Sequence, residues 1–214
     1  AEEIALEPAR GNAVRQVEIA AGERRFFTYD APVGGTHVMR LFDPSGKEVW
    51  QARNQDVPTR VYRQSGTYTL VVEGPQSSSD TEPGALTVAA WRPTYTETAL
   101  PLGTRVEGRL DRPGDRRDHA FTLATATRVH VDSLVRDDSL AWALIDRATG
   151  TTLAGRDFDA QPADREAVLP LSAGDYVLRV TGRGAATGDY AIRLSDLAAA
   201  IPMLLDKPQV NVVT

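Results

Sequence analysis

The densest group of side chains able to do chemistry is the run Asp111-Arg112-Pro113-Gly114-Asp115-Arg116-Arg117-Asp118. A turn can direct several hard carboxylate oxygens at one point, and calcium is bound by oxygens of this kind. Asp111, Asp115 and Asp118 are therefore the candidate Ca2+ ligands. The arginines of the same turn offer a competing arrangement, in which each carboxylate pairs with a guanidinium and the run is a solvated, salt-bridged hairpin turn. The regular alternation of an EF-hand loop is absent. Three histidines, His37, His119 and His130, have a spacing that suits neither a metal site nor a catalytic base. His130 lies between Val129 and Val131, so strand alternation turns it away from the side those valines occupy. No His-Glu-x-x-His, Gly-x-Ser-x-Gly, Walker or dinucleotide fingerprint occurs. No catalytic or cofactor-binding residue is assigned, and the chain is read as not an enzyme. A hydrolase with an unmarked active site ranks last among the alternatives.

A ligand surface is the other chemical possibility, and aromatic side chains would carry it. Trp50 closes the strand after the Asp43 turn and has the best claim to exposure. With Tyr95 and the acidic pair Asp137 and Asp138 it makes up the candidate ligand surface. Trp142 is assigned to the core, and Trp91 with Tyr95 to packing at a domain joint.

These residues must be positioned by strands, because nearly every apolar run is short, alternating and closed by turn residues. Moreover, the pattern occurs twice. Leu41-Phe42-Asp43-Pro44-Ser45-Gly46 and Gly66-Thr67-Tyr68-Thr69-Leu70-Val71-Val72 return as Leu144-Ile145-Asp146 to Gly150 and Gly174-Asp175-Tyr176-Val177-Leu178-Arg179-Val180. Alternation sends Tyr68, Leu70, Val72, Tyr176, Leu178 and Val180 inward and Val71, Val177 and Arg179 outward. Each tyrosine is expected to bury its ring and bond its hydroxyl to nearby backbone. Phe27-Thr28 aligns with Phe121-Thr122, and Val14 to Ile19 reads as the opening strand of the first copy. The fold class is all-β: two tandem antiparallel β-sandwich (jelly-roll-like) domains, residues 1–93 and 94–196, followed by an apolar tail, 197–214, that packs on the same chain or begins a further module.

The second copy resembles the bacterial pre-peptidase C-terminal domain family. The resemblance rests on Leu100-x-Leu102-Gly103-x-x-Val106-x-Gly108-x-Leu110, Gly114-Asp115-x-x-Asp118-x-x-Phe121-x-Leu123, Asp146 to Gly150, and Ala173-Gly174-x-Tyr176-x-Leu178-x-Val180. It spans about 95 residues, and the first copy fits more loosely. The resemblance implies a jelly-roll-like sandwich acting as a secreted, non-catalytic accessory module beside peptidases, in collagen-binding modules or in repeated surface proteins. It also implies calcium near the first strand, where related collagen-binding modules hold it through acidic residues. The closely spaced acidic linker of those modules has no counterpart here.

Composition sets the outer limits. With 42% hydrophobic and 25% charged residues in 214, the chain is ordinary globular material, with room for two cores. A net charge of −5 argues against nucleic acid as a partner. No run approaches the length of a membrane helix, so no membrane insertion is expected. The absence of cysteine removes disulfides, thiolate metal sites and cysteine nucleophiles, and leans towards export. The expected location is extracellular, cell-surface or periplasmic. The expected role is a binding module of a larger bacterial protein, engaging a protein or carbohydrate surface or neighbouring domains of its parent. A structural spacer is the alternative.

Overall fold

The structure is a computed structural model, and it describes residues 2–6, 12–30, 36–74, 86–158 and 168–200. In the first half the strands are β1 (Glu2–Leu6), β2 (Asn12–Ile19), β3 (Arg24–Asp30), β4 (Val38–Phe42), β5 (Glu48–Arg53), β6 (Val57–Val61), β7 (Gly66–Glu73) and β8 (Leu86–Trp91). They form two sheets, β1-β8-β3-β6 and β2-β7-β4-β5. Val17, Phe27, Leu41, Trp50, Tyr68 and Val88 meet between the sheets in one core.

The second half holds β9 (Tyr95–Ala99), β10 (Arg105–Leu110), β11 (Arg116–Leu123), β12 (Thr127–Ser133), β13 (Leu140–Asp146), β14 (Thr152–Asp157), β15 (Val168–Leu171), β16 (Gly174–Gly182) and β17 (Gly188–Asp196). Its sheets run β10-β17-β12-β15 and β14-β13-β16-β11-β9 around a second core that includes Leu110, Trp142, Leu178 and Ile192. A 3-10 turn, Leu197–Ala199, follows β17. Among the described residues no helix is long and apolar enough to cross a membrane. The fold is all-β, and each half is a sandwich.

Strand for strand, the second sandwich repeats the pairing of the first. β10 through β17 take the places of β1 through β8, and β9 is an addition, paired in parallel with β11. This corrects the expected alignment by one strand. Val17 sits opposite Tyr68, and Phe121 sits opposite Tyr176, so Val17 rather than Phe27 is the counterpart of Phe121. Phe27 lies on β3, the counterpart of β12. Accordingly β2 does not open the first sandwich; β1 does, as β10 opens the second. The misalignment arose because both strands carry an apolar alternation and only the pairing distinguishes them.

The repeated residues do the same work in both halves. Tyr68 donates its hydroxyl hydrogen to the Gln64 carbonyl at 2.8 Å, and Tyr176 donates to the Ser172 carbonyl at 2.9 Å. Asp43 caps its turn by accepting from the Ser45 and Lys47 amides, and Asp146 accepts from those of Ala148 and Thr149. Tyr176, Leu178 and Val180 are buried as alternation requires, but Val177 is buried as well. It lies between Ala120 and Ile145 on the outer face of its sheet, and this apolar row shields it.

Gly108 has a structural reason that its motif position alone did not reveal. It sits opposite Tyr190, and a Cβ there would fall 2.3 Å from the tyrosine Oη. Only a residue without a side chain lets the phenol lie across β10. The Tyr190 hydroxyl then reaches His119 Nε2 at 2.8 Å.

Candidate functional site

The acidic turn does not gather its carboxylates. Asp115 is fully buried in its side chain, and its two oxygens are taken up locally. One accepts from the Thr94 amide at 2.6 Å and the Thr94 hydroxyl at 2.9 Å; the other accepts from the amides of Asp111 and Arg112 and from Arg117. Asp118 lies one strand step further on the opposite, outer face, where Arg116 and Arg179 clamp it. Burial pushes its carboxyl up, but the hydrogen bonds and charge of those two arginines prevail and hold it below the usual carboxylate range. Asp111 is exposed and pairs with Arg109 and Arg117. Among the described residues no group of three or more His, Asp or Glu side chains is arranged to hold a metal ion. The donors of this turn do not fit a calcium cage: one carboxylate is spent on backbone amides, and another is neutralised on a different face. What the turn does instead is fasten Thr94, at the start of the joint, to the second sandwich.

Trp50 is not a surface residue, which corrects the exposure expected of it. It is 5% exposed, packs edge-on to Phe27 at 5.1 Å, and donates its indole N–H to Tyr62 Oη at 2.9 Å. The strand alternation of β5, with Trp50 and Ala52 inward, decides this. Burial raises Tyr62 to about 12. Tyr95 is 38% exposed, but its ring is occupied: the guanidinium of Arg24 lies 4.6 Å from its centroid and that of Arg116 5.0 Å. Asp137 folds onto its own loop, accepting from the Ser139 amide and hydroxyl, while Asp138 beside it is exposed. The expected ligand surface therefore does not assemble; its four residues lie in a core, a joint and a loop.

The histidines serve the cores. His119 is 3% exposed, with Nδ1 2.9 Å from Thr98 Oγ1 and Nε2 bonded to Tyr190. His37 lies with Nδ1 2.9 Å from the Tyr29 hydroxyl. Burial lowers both below the ordinary histidine range, so both rings are neutral at pH 7.

The concave feature of interest lies where the two sandwiches meet. A groove of about 520 Å³ runs over the outer face of β3 and β8, lined by Thr28, Asp30, Asp56, Thr87 and Trp91, with Ala185 of the β16–β17 turn on its far side. Trp91 reaches across from β8 to β3 to donate its indole N–H to Thr28 Oγ1 at 3.2 Å, so the ring lies along the sheet. The joint around it is tight. A Cβ on Gly114 would come within 2.5 Å of Thr59 Oγ1 and 3.0 Å of Phe26, and Arg92 pairs with Glu23 at 2.5 Å.

No family model and no curated protein matches this chain. Among solved structures it is similar to the pre-peptidase C-terminal domain of collagenase from Bacillus anthracis. That match is 19% identical over 48% of this chain and 96% of that one, with a TM-score of 0.39. It is also similar to the CUB1-EGF-CUB2 region of human MASP-1/3, at 8% identity over 91% and 99% of the two chains and a TM-score of 0.26.

The groove was not visible in the sequence because its residues come from separate strands and one turn. Thr28 and Asp30 alternate with core residues of β3, and Thr87 and Trp91 belong to the outer face of β8. Such positions read as ordinary solvated sheet until the second sandwich is placed beside them. Trp91 was the available signal, and its assignment to the joint was right in place but incomplete in role.

Proposed function

We propose that this chain is a non-catalytic binding module of a larger exported bacterial protein. It is built of two tandem domains of the pre-peptidase C-terminal kind, residues 1–93 and 94–196, followed by the segment 197–214. The protein or glycan surface it binds engages the groove at the joint. The observation that supports this is the Trp91 indole laid flat between Thr28, Thr87 and two carboxylates, Asp30 and Asp56, in a concave face. An aromatic plane beside hydrogen-bonding groups is the usual composition of a ligand site. The two cores supply no competing chemistry, since His37 and His119 are each committed to a tyrosine.

A glycan and matrix-protein array tests the reading, with Trp91→Ala as the comparison. Binding by the parent chain that falls at least tenfold in Trp91→Ala is the expected result. Trp50 and Trp142 are 5% and 3% exposed, so a change in indole fluorescence on adding a ligand reports Trp91. An array that stays silent for both proteins, while the full-length parent protein binds, overturns the reading in favour of a spacer. That second reading has its own support in the close contact of Gly114 with Phe26 and Thr59, which makes the joint stiff.

A further inference from the structure

Of the sheet edges in this molecule, one lacks the features that normally keep an edge from pairing. β6 carries Pro58 and a break in its register with β3. β15 has only four residues, one of them Pro170. The ladders of β5 and β14 are each interrupted by a bulge. β10 alternates Arg105, Glu107 and Arg109 about Gly108, and β1 is only five residues long. β2 differs from all of them. Its eight residues Asn12–Ile19 run in unbroken register with Gly66–Glu73, without proline, glycine or bulge. On its outer face Val14 is 53% exposed beside Val71. The Val14 carbonyl is accessible from the solvent side, where the Arg15 guanidinium bonds it at 3.0 Å.

The second sandwich shows what such an edge accepts. Its counterpart of β2 is β11, and there the same edge is covered by β9, an extended parallel strand from the segment that follows the first sandwich. Val14 and Val71 occupy the places of Asp118 and Arg179. The site on β2 therefore suits an apolar strand, where β11 takes Glu97. Residues 201–214 lie outside the described residues, and they follow the second sandwich as β9 follows the first. They end in Gln209-Val210-Asn211-Val212-Val213-Thr214, a β-branched run with no charge.

We infer that residues 209–214 of one copy add as a parallel strand to the open edge of β2 in a second copy. The contact is head-to-tail, so each copy offers one edge and one tail, and the assembly grows as an open chain.

Sedimentation of the full chain from about 10 μM to about 1 mM tests this, since an interface of one short strand is small and weak. Average mass should rise beyond twice that of the monomer without a plateau at dimer. Val14→Lys removes the edge and Val212→Pro removes the tail, and each variant alone should remain monomeric. Val14 is largely exposed and residue 212 is outside both cores, so unchanged thermal unfolding confirms that each variant folds. Mixed in equal amounts, the two variants restore one intact edge with one intact tail and should stop at a heterodimer. A chain that stays monomeric throughout, association that survives in both variants, or a mixture that stays monomeric each overturns the inference.

Discussion

The two sandwiches share a pairing scheme and differ in how each buries a polar aromatic pair. The first encloses Trp50 and Tyr62, indole to phenol, in a core that needs no charge and no glycine gap. The second encloses His119 and Tyr190, and that pair exists only because Gly108 leaves room for the phenol. The outer faces diverge in the same way. Where the first has Val14 against Val71, the second has Asp118 against Arg179, with Arg116 as a second clamp and β9 laid over the edge. One scaffold thus tolerates different solutions wherever the ladder itself is not disturbed.

The comparison can be broken most sharply at the aromatic pairs. Trp50→Ala removes a buried indole and leaves the Tyr62 hydroxyl without its donor; a loss of about 3–5 kcal/mol is expected in chemical denaturation. A smaller loss, about 1–3 kcal/mol, is expected for Gly108→Ala, because the new methyl meets the Tyr190 ring and the phenol must shift. The first substitution should unfold the first sandwich at lower denaturant and the second substitution the second. A single shared transition in both variants would show instead that the joint couples the two sandwiches.

At the acidic turn, Asp115→Ala frees the Thr94, Asp111 and Arg112 amides and should cost about 1–3 kcal/mol. Neither calcium nor a chelator should move the melting temperature of the parent chain; a calcium-dependent rise would restore the metal reading of Asp111, Asp115 and Asp118.

Acid should sharpen the contrast further. The folded histidine values are depressed, so below about pH 6.5 the unfolded chain binds protons that the folded chain refuses. The stability they contribute is present above that value and is lost as pH falls through it towards the folded values. The expected observation is a denaturation midpoint that drops between pH 7.5 and pH 5, with a shallower drop in His119→Gln. The smallest effect belongs to the joint: Tyr95→Ala removes two cation–π contacts and should cost about 1 kcal/mol. Its clearer readout is a wider spread of inter-domain distances in solution scattering.

Much of this molecule was legible before folding. Alternation and turn residues identify strands locally, since each depends on neighbours two to five positions away. The Asp43 and Asp146 turns, the paired tyrosines and the burial of Trp142 were accessible for that reason. The strand correspondence was not, because Val17 and Phe27 both sit in alternating apolar runs and only cross-strand pairing tells them apart. The exposure of Trp50 was misjudged for a related reason, as the end of a strand looks like an end until a second sheet covers it.

Sequence alone determined that this chain is all-β, repeats one set of turns and strand entries, and lacks cysteine chemistry. Those properties follow from residue types and short spacings. Only the tertiary structure decided where the carboxylates point, that Asp115 fastens the joint, and that β11 is covered where β2 is open. These depend on which distant strands become neighbours, and a carboxylate beside an arginine in sequence projects to the other face of its strand whenever their separation is odd.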